Sequence, residues 1–422
     1  MSAVQGGFQV THKTDLLDRK TGAIVFLAFA AAYFCSALVR AINATLSPVL
    51  TQDFSLHARD LGLLAGGYFL GFAAVQLPMG KWLDSYGPKR VSVCFLAVAV
   101  IGCLAFSVAT SFTGLLVARV LVGVGVSACL MAPMTGYRRW FDAPSQLRAN
   151  SWMLMTGSLG MLSSTLPVQW LLPLMGWRPL FWILAALILL AMAAIAWLAP
   201  AWQLPEKSAK PAQDKSSSSY ADVWSNRYFR KLFPLAIFNY GGMVAIQTLW
   251  ATPWMIRVAG YTPLEAATGL FYLNACMLVT FWSWGMVNPW LARKGFSADR
   301  LMAWGLPLSL LVLGLNIWGG ANTGWIGWAA FCMASSVLGL AQSSIGLAFR
   351  PALAGRALSA YNLGIFGGVF VVQWGIGLMI DAFAGLGWST VASFQGAMSV
   401  FLCCCIASYA YFASVTADNS PQ

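Results

Sequence analysis

The chain has 422 residues, 59% of them hydrophobic and only 9% charged, with a mean hydropathy of +0.71. Ordinary soluble domains carry about a quarter charged residues, so a soluble globular protein is excluded. Repeated apolar runs of about 18 residues or more indicate transmembrane helices. The runs are continuous rather than alternating, which excludes a β-barrel.

In chain order, residues 1–21 are polar and carry Lys13, Arg19 and Lys20. No small-residue cleavage site follows convincingly, so the segment reads as a retained cytoplasmic tail rather than a signal peptide. Residues 22–50 form the first span, with an arginine inside it. A charge at the bilayer centre costs roughly 2.5–3.5 kcal/mol on insertion scales. Tyr33, Ser36, Arg40, Asn43 and Ser47 recur at helical spacing and make one polar stripe on an apolar rod. Arg40 lies ~15 Å from the end of the span at 1.5 Å per residue, deep for a snorkelling side chain. The stripe therefore reads as a cavity-lining face whose positive charge meets an anion.

Spans two to six fall at 61–81, 91–110, 113–135, 149–173 and 179–199. Residues 200–231 break the pattern with PEKSAKPAQDKSSSS, a flexible-linker composition. Spans seven to twelve fall at 232–256, 265–290, 301–318, 325–347, 357–380 and 389–413, and 414–422 form a second cytoplasmic tail. With this topology 20 of the 25 Lys and Arg lie on one side of the membrane. The positive-inside rule makes that side cytoplasmic, so the net charge of +12 reports topology and not a nucleic-acid partner. The fold class expected is all-α, with twelve transmembrane helices in two pseudo-symmetric six-helix bundles, 22–199 and 232–413. Val168-Gln169-Trp170 recurs as Val372-Gln373-Trp374, Arg148 has a counterpart in Arg356, and Gly80 in Gly285. Such parallel repeats place a substrate between the halves, near the midplane.

Nine cysteines all sit in apolar runs without a CxxC, and the two histidines, His12 and His57, lie in a tail and a loop. Metal, redox and nucleophile–His chemistry therefore find no support. The reading is no enzyme, no cofactor and no metal.

The loop GKWLDSYGPKR resembles the signature between the second and third helices of the major facilitator superfamily. Gly80, Asp84, Gly87, Lys89 and Arg90 match the family pattern. The resemblance implies a gating loop in which Asp84 pairs with an arginine or a helix N-terminus and holds one state. Arg119-x-x-x-Gly123-x-Gly125 is similar to the family's fourth-helix motif. In this family helices one, four, seven and ten line the cavity, which would bring Arg119 and, from span seven, Tyr240 and Gln247 to it. The alternative for Arg119 is structural, bonded to backbone carbonyls of a neighbouring helix. Tyr240, Gln247 and Trp254 are seven apart, hence on one face of a regular helix. Span five has Gly157, Gly160 and Pro167 without the Gly-Pro pair of the family's antiporters. The second-half loop carries Pro289 where the first half has Asp84.

No Asp or Glu lies well inside a span. A coupling acid would have to be Asp60, Glu265 or Asp381 at outer ends; otherwise the substrate carries the proton, or transport is exchange. The reading is a secondary transporter of the bacterial inner membrane, with both termini cytoplasmic. It functions as a monomer by alternating access and moves a small organic anion, a carboxylate for preference, as symporter or anion exchanger, with a proton as the candidate co-transported ion. A drug or metabolite exporter is the alternative within transport. A membrane sensor or scaffold that moves nothing is the alternative outside it.

Overall fold

The computed structural model describes residues 16–202 and 220–415, so both outer tails and most of the expected linker lie outside the described residues. All regular secondary structure among the described residues is helical. In the first part of the chain α1 is Arg19–Phe54, α2 Ala58–Ala74, α3 Gln76–Val108, α4 Phe112–Val126, α5 Ala128–Trp140, α6 Ala143–Ser163, α7 Leu166–Met175 and α8 Trp177–Leu198. In the second part α9 is Tyr220–Ser225, α10 Arg227–Pro234, α11 Gly241–Ala245, α12 Ala251–Arg257, α13 Pro263–Arg293, α14 Ala298–Gly319, α15 Trp325–Ser335, α16 Gly339–Ala348, α17 Pro351–Gly385 and α18 Thr390–Ser414. Two π-helical segments, Leu235–Tyr240 and Ile246–Trp250, flank α11.

Ten helical stretches among the described residues are long and apolar enough to cross a membrane. The other two of the twelve expected spans are present but broken. Span two is interrupted at Val75, between α2 and α3, and span five at Ser164 and Thr165, between α6 and α7. Hydroxyls occupy the second break: Ser164 Oγ bonds back to Met161 O and Thr165 Oγ1 to Leu162 O. The loop expected at Gly80–Arg90 is also shorter than the sequence suggests. Helix continues to Tyr86, the chain reverses at Gly87 alone (φ 77°, ψ 164°), and Pro88 opens the next helix.

Helix starts are capped by side chains the sequence supplies. Asp18 accepts from the amides of Lys20 and Thr21 at the start of α1 (3.1 and 3.3 Å). Thr262 and Glu265 make a reciprocal capping box at α13. Ser111, Ser297 and Ser389 cap α4, α14 and α18.

Lipid tails are as apolar as leucine, so helices in a membrane associate through close packing and small residues. A methyl group at Gly123 would sit on the Tyr68 carbonyl, and one at Gly71 on that of Val120, so α4 and α2 run in backbone contact. The other face of α2 meets α17 the same way. Gly62 lies on the Gln373 carbonyl and Gly377 on that of Ala58. Farther along the same seam, the Phe366 ring stands 4.3 Å from Phe72 and 6.3 Å from Phe69. This α2–α17 seam joins the first and second parts of the chain from one end of the bundle to its middle. Asp381 of α17 closes its outer end, accepting from Ala58 N (3.1 Å) and Arg59 N (3.0 Å), the orphan amides of the first turn of α2. At the opposite end of the bundle gather Leu17, which donates its amide to Trp140 O, Lys89, which bonds Ala199 O, and Lys231, which pairs with Asp299 at 2.8 Å.

Two outcomes test this packing. Gly123→Ala forces α4 off α2 and costs about 1–3 kcal/mol by overpacking, read as a lowered unfolding temperature of the detergent-solubilised protein. Gly80→Ala, with open space around it, leaves that temperature unchanged or raised. Asp381→Asn removes a charge-assisted cap worth about 1.5–3 kcal/mol. Amide hydrogen exchange at Ala58 and Arg59 then speeds up about tenfold or more, while peptides around Gly87 exchange as before.

Candidate functional site

Arg40 stands 14 residues from the end of α1 at Phe54, ~21 Å along the helix at 1.5 Å per residue. It is only half-buried, while Tyr33, Ser36, Asn43 and Ser47 of the same stripe are buried. Part of the Arg40 side chain is thus accessible, although its Nε is buried. Its carbon lies 5.9 Å from the centre of the Phe72 ring. The polar groups around it are the phenols of Tyr33, Tyr68 and Tyr240, with the Cys129 thiol beyond. Its Nε has no hydrogen-bond partner among the described residues, and no acid pairs with it. A guanidinium held by an aromatic face and phenols, with no carboxylate, keeps its planar fork available to an anion.

Arg119 is fully buried and does not share that space. It donates from Nη1 to Val39 O at 3.0 Å, and its guanidinium stacks 5.3 Å from the Tyr68 ring and 6.0 Å from the Phe106 ring. The carbonyl bond is the one that the structural alternative from the sequence requires, while Nε and Nη2 have no partner among the described residues. Tyr68, which the sequence reading did not single out, lies between the two arginines and is itself fully buried. Its hydroxyl is 3.5 Å from Ser36 O. Glycines on both sides of α2 are the only sequence signal that this residue would be gripped so closely.

The second part of the chain brings Tyr240, half-buried, close enough to act on both Tyr33 and Arg40. Gln247 is buried and donates to Asn274 Oδ1 at 2.9 Å. The expectation that Tyr240, Gln247 and Trp254 share one face assumed a regular α-helix. Two π-helical segments, with wider turns, interrupt that regularity along this stretch. Asn43 lies one turn beyond Arg40 with neither amide atom bonded among the described residues.

The gating residues divide. Gly87 takes the left-handed turn with Trp202 packed directly on it, and Lys89 holds the last carbonyl after α8. Asp84 and Arg90 are exposed, and no described residue bonds the Asp84 carboxylate. The three candidate coupling acids all tie helix starts at the other end of the bundle. Asp60 accepts from His57 N at 3.0 Å, Glu265 from Thr262 N at 2.8 Å, and Asp381 from the start of α2. No cluster of metal-ligating residues occurs among the described residues.

Comparisons with known proteins place this geometry in a family. The hexuronate transporter of Escherichia coli strain K12 is 27% identical over 161 residues, 38% of this chain and 37% of that protein; this chain thus spans little more than a third of that relative. The gallate transporter of Pseudomonas putida is 24% identical over 386 residues, 80% of this chain and 83% of that protein. The 4-hydroxybenzoate transporter of Pseudomonas aeruginosa is 29% identical over 177 residues, 41% and 38% of the two chains. Among solved structures, a bacterial homologue of the human lysosomal transporter Spinster, inward-facing and unoccupied, superposes with a TM-score of 0.76 at 16% identity over 94% of this chain and 97% of its own. The D-xylose–proton symporter does so with 0.74 at 12% identity, over 95% and 99%. The family model of the Major Facilitator Superfamily matches residues 29–373. This chain is a multi-pass membrane transport protein and belongs to the Major Facilitator Superfamily.

Proposed function

We propose that the protein carries a small organic anion with a carboxylate across the membrane by alternating access, with Arg40 as the anion's counter-charge. The observation that carries this reading is the Arg40 guanidinium itself: mid-span, partly accessible, faced by Phe72 and three phenols, and paired with no acid among the described residues. The phenols donate to carboxylate oxygens, and the aromatic faces cover an apolar or hydroxylated body. The named relatives move hexuronate, gallate and 4-hydroxybenzoate, all carboxylates, which supports the same class here. Two six-helix halves, 22–199 and 232–413, rock about this site in a monomer. Opening toward the end that carries Asp381 requires the α2–α17 seam to part. The concentration of Lys and Arg at the end shared by Leu17, Lys89 and Lys231 supports a cytoplasmic position for it, and hence for both termini, in a bacterial inner membrane.

The test is a thermal-shift series on purified protein with 4-hydroxybenzoate, gallate, galacturonate and a hydrophobic cation. A ligand at a hundred times its Kd stabilises the folded state by about 2.7 kcal/mol. At least one carboxylate raises the unfolding temperature of the wild type, and Arg40→Ala abolishes that shift. Stabilisation by the cation, equal in wild type and Arg40→Ala, would move the reading to an exporter.

Arg119→Lys separates the two arginines. Lysine cannot both bond Val39 O and stack on Tyr68, so the unliganded protein loses about 2 kcal/mol. The carboxylate-induced shift persists in this variant. A variant of unchanged stability that has lost the shift would make Arg119 a ligand-binding residue instead.

A further inference from the structure

We propose that the carrier is an anion exchanger: its site crosses the membrane rapidly only when occupied, so that each small monoanion carried one way is matched by another carried back. The proposal rests on Arg40 being the anion's counter-charge.

The whole sequence holds 13 acidic residues. Those on the described helices stand at helix ends, each with a visible task where it is bonded. Asp18, Asp60, Glu265 and Asp381 cap helix starts. Asp53 accepts from Trp177 Nε1 at 2.7 Å. Asp299 is held by Lys231 and Tyr228 at the far end of the bundle from Asp381. None stands on the turns of α1, α2, α5 or the π segments that surround Arg40. The titratable groups that do face it are Tyr33 from α1, Tyr68 from α2, Cys129 from α5 and Tyr240 from the π segment. Phenols and thiols are hydrogen-bond donors to an anion, and none of these groups is a carboxylate.

Arg119 also lacks an acid, but its surroundings are α1, α2 and α3, through Val39, Tyr68 and Phe106. All of these belong to the first part of the chain, so a motion of one part against the other leaves them together. Arg40 is different, because Tyr240 of the second part lies close enough to act on it, and its surroundings come from both parts. Alternating access passes through an occluded state in which the interface between the two parts is shut on both sides. An unpaired guanidinium then sits in a low-dielectric enclosure, which is costly. A bound carboxylate turns the same charge into a pair. The loaded site therefore reorients over a lower barrier than the empty one. A proton symporter escapes this constraint with an acid that ionises and pairs with the arginine on the empty return; no acid of the described helices stands beside Arg40.

The experiment is uptake of radiolabelled 4-hydroxybenzoate, gallate or galacturonate into liposomes reconstituted with the purified full chain. Vesicles hold either the same unlabelled anion or zwitterionic buffer alone. Initial uptake is expected to be at least about tenfold faster into the loaded vesicles, a factor equivalent to 1.36 kcal/mol of barrier. Exchange of two monoanions moves no net charge, so a potassium diffusion potential leaves the loaded rate unchanged. Equal rates into loaded and buffer-filled vesicles overturn the exchanger. So does rapid uptake into buffer-filled vesicles driven by an acid exterior, which would assign proton symport while leaving the anion reading standing. No saturable uptake of any of the three anions in either vesicle overturns the anion reading and the exchanger with it.

Discussion

Two guanidinium groups lie within the membrane-spanning region with no acid to neutralise them, and much of the first part of the chain is arranged around that constraint. Arg119 is held internally by one carbonyl of α1 and the faces of Tyr68 and Phe106, with its Nε and Nη2 left without a partner among the described residues. That solution demands that α2 and α4 come within backbone contact, which Gly71 and Gly123 permit. Arg40 is left incompletely satisfied, with an unbonded Nε and an aromatic face for support. The same helix thus carries a carbonyl that bonds one buried charge and, one residue on, a second charge.

The sequence displayed the helical architecture because membrane helices need long apolar runs, and it displayed the arginines because charges there are so expensive. It showed less where structure depends on a single local deviation. The turn after α2's continuation collapsed to one glycine because Gly87 takes positive φ and Pro88 can begin a helix at once. Spans two and five were read as continuous, since a break of one or two residues barely changes the mean hydropathy of a window. The π-helical segments around Tyr240 and Gln247 leave no clear mark on residue spacing either. Tyr68 was missed for a different reason: a tyrosine in an apolar helix looks like core until its neighbours are known.

The recurring Val-Gln-Trp triplet shows how far the internal repeat extends and where it stops. Val168 and Val372 are both buried, and Trp170 and Trp374 are both exposed. The two triplets therefore present the same faces to protein and to lipid. The glutamines differ. Gln373 is buried, bonds Thr248 Oγ1 at 3.0 Å and offers its backbone carbonyl to the Trp250 indole. Gln169 sits at the start of a helix that has just been interrupted, and it is partly exposed. Equivalent positions keep their orientation while their polar chemistry diverges.

The covalent joint between the halves has a mechanical consequence. Trp202 is fixed to the first part by its packing on Gly87 and beneath Arg139. Tyr220 begins a short helix whose Val223 and Trp224 are packed against Phe229 and its neighbours, although its hydroxyl reaches back to Leu77 O at 3.1 Å. Residues 203–219 connect these anchors, and a chain of that length spans up to ~56 Å at about 3.3 Å per residue. The contacts that bridge the two parts at their ends are non-covalent: the carboxylate of Asp381 on the start of α2, and the phenol of Tyr220 on Leu77 O of α3.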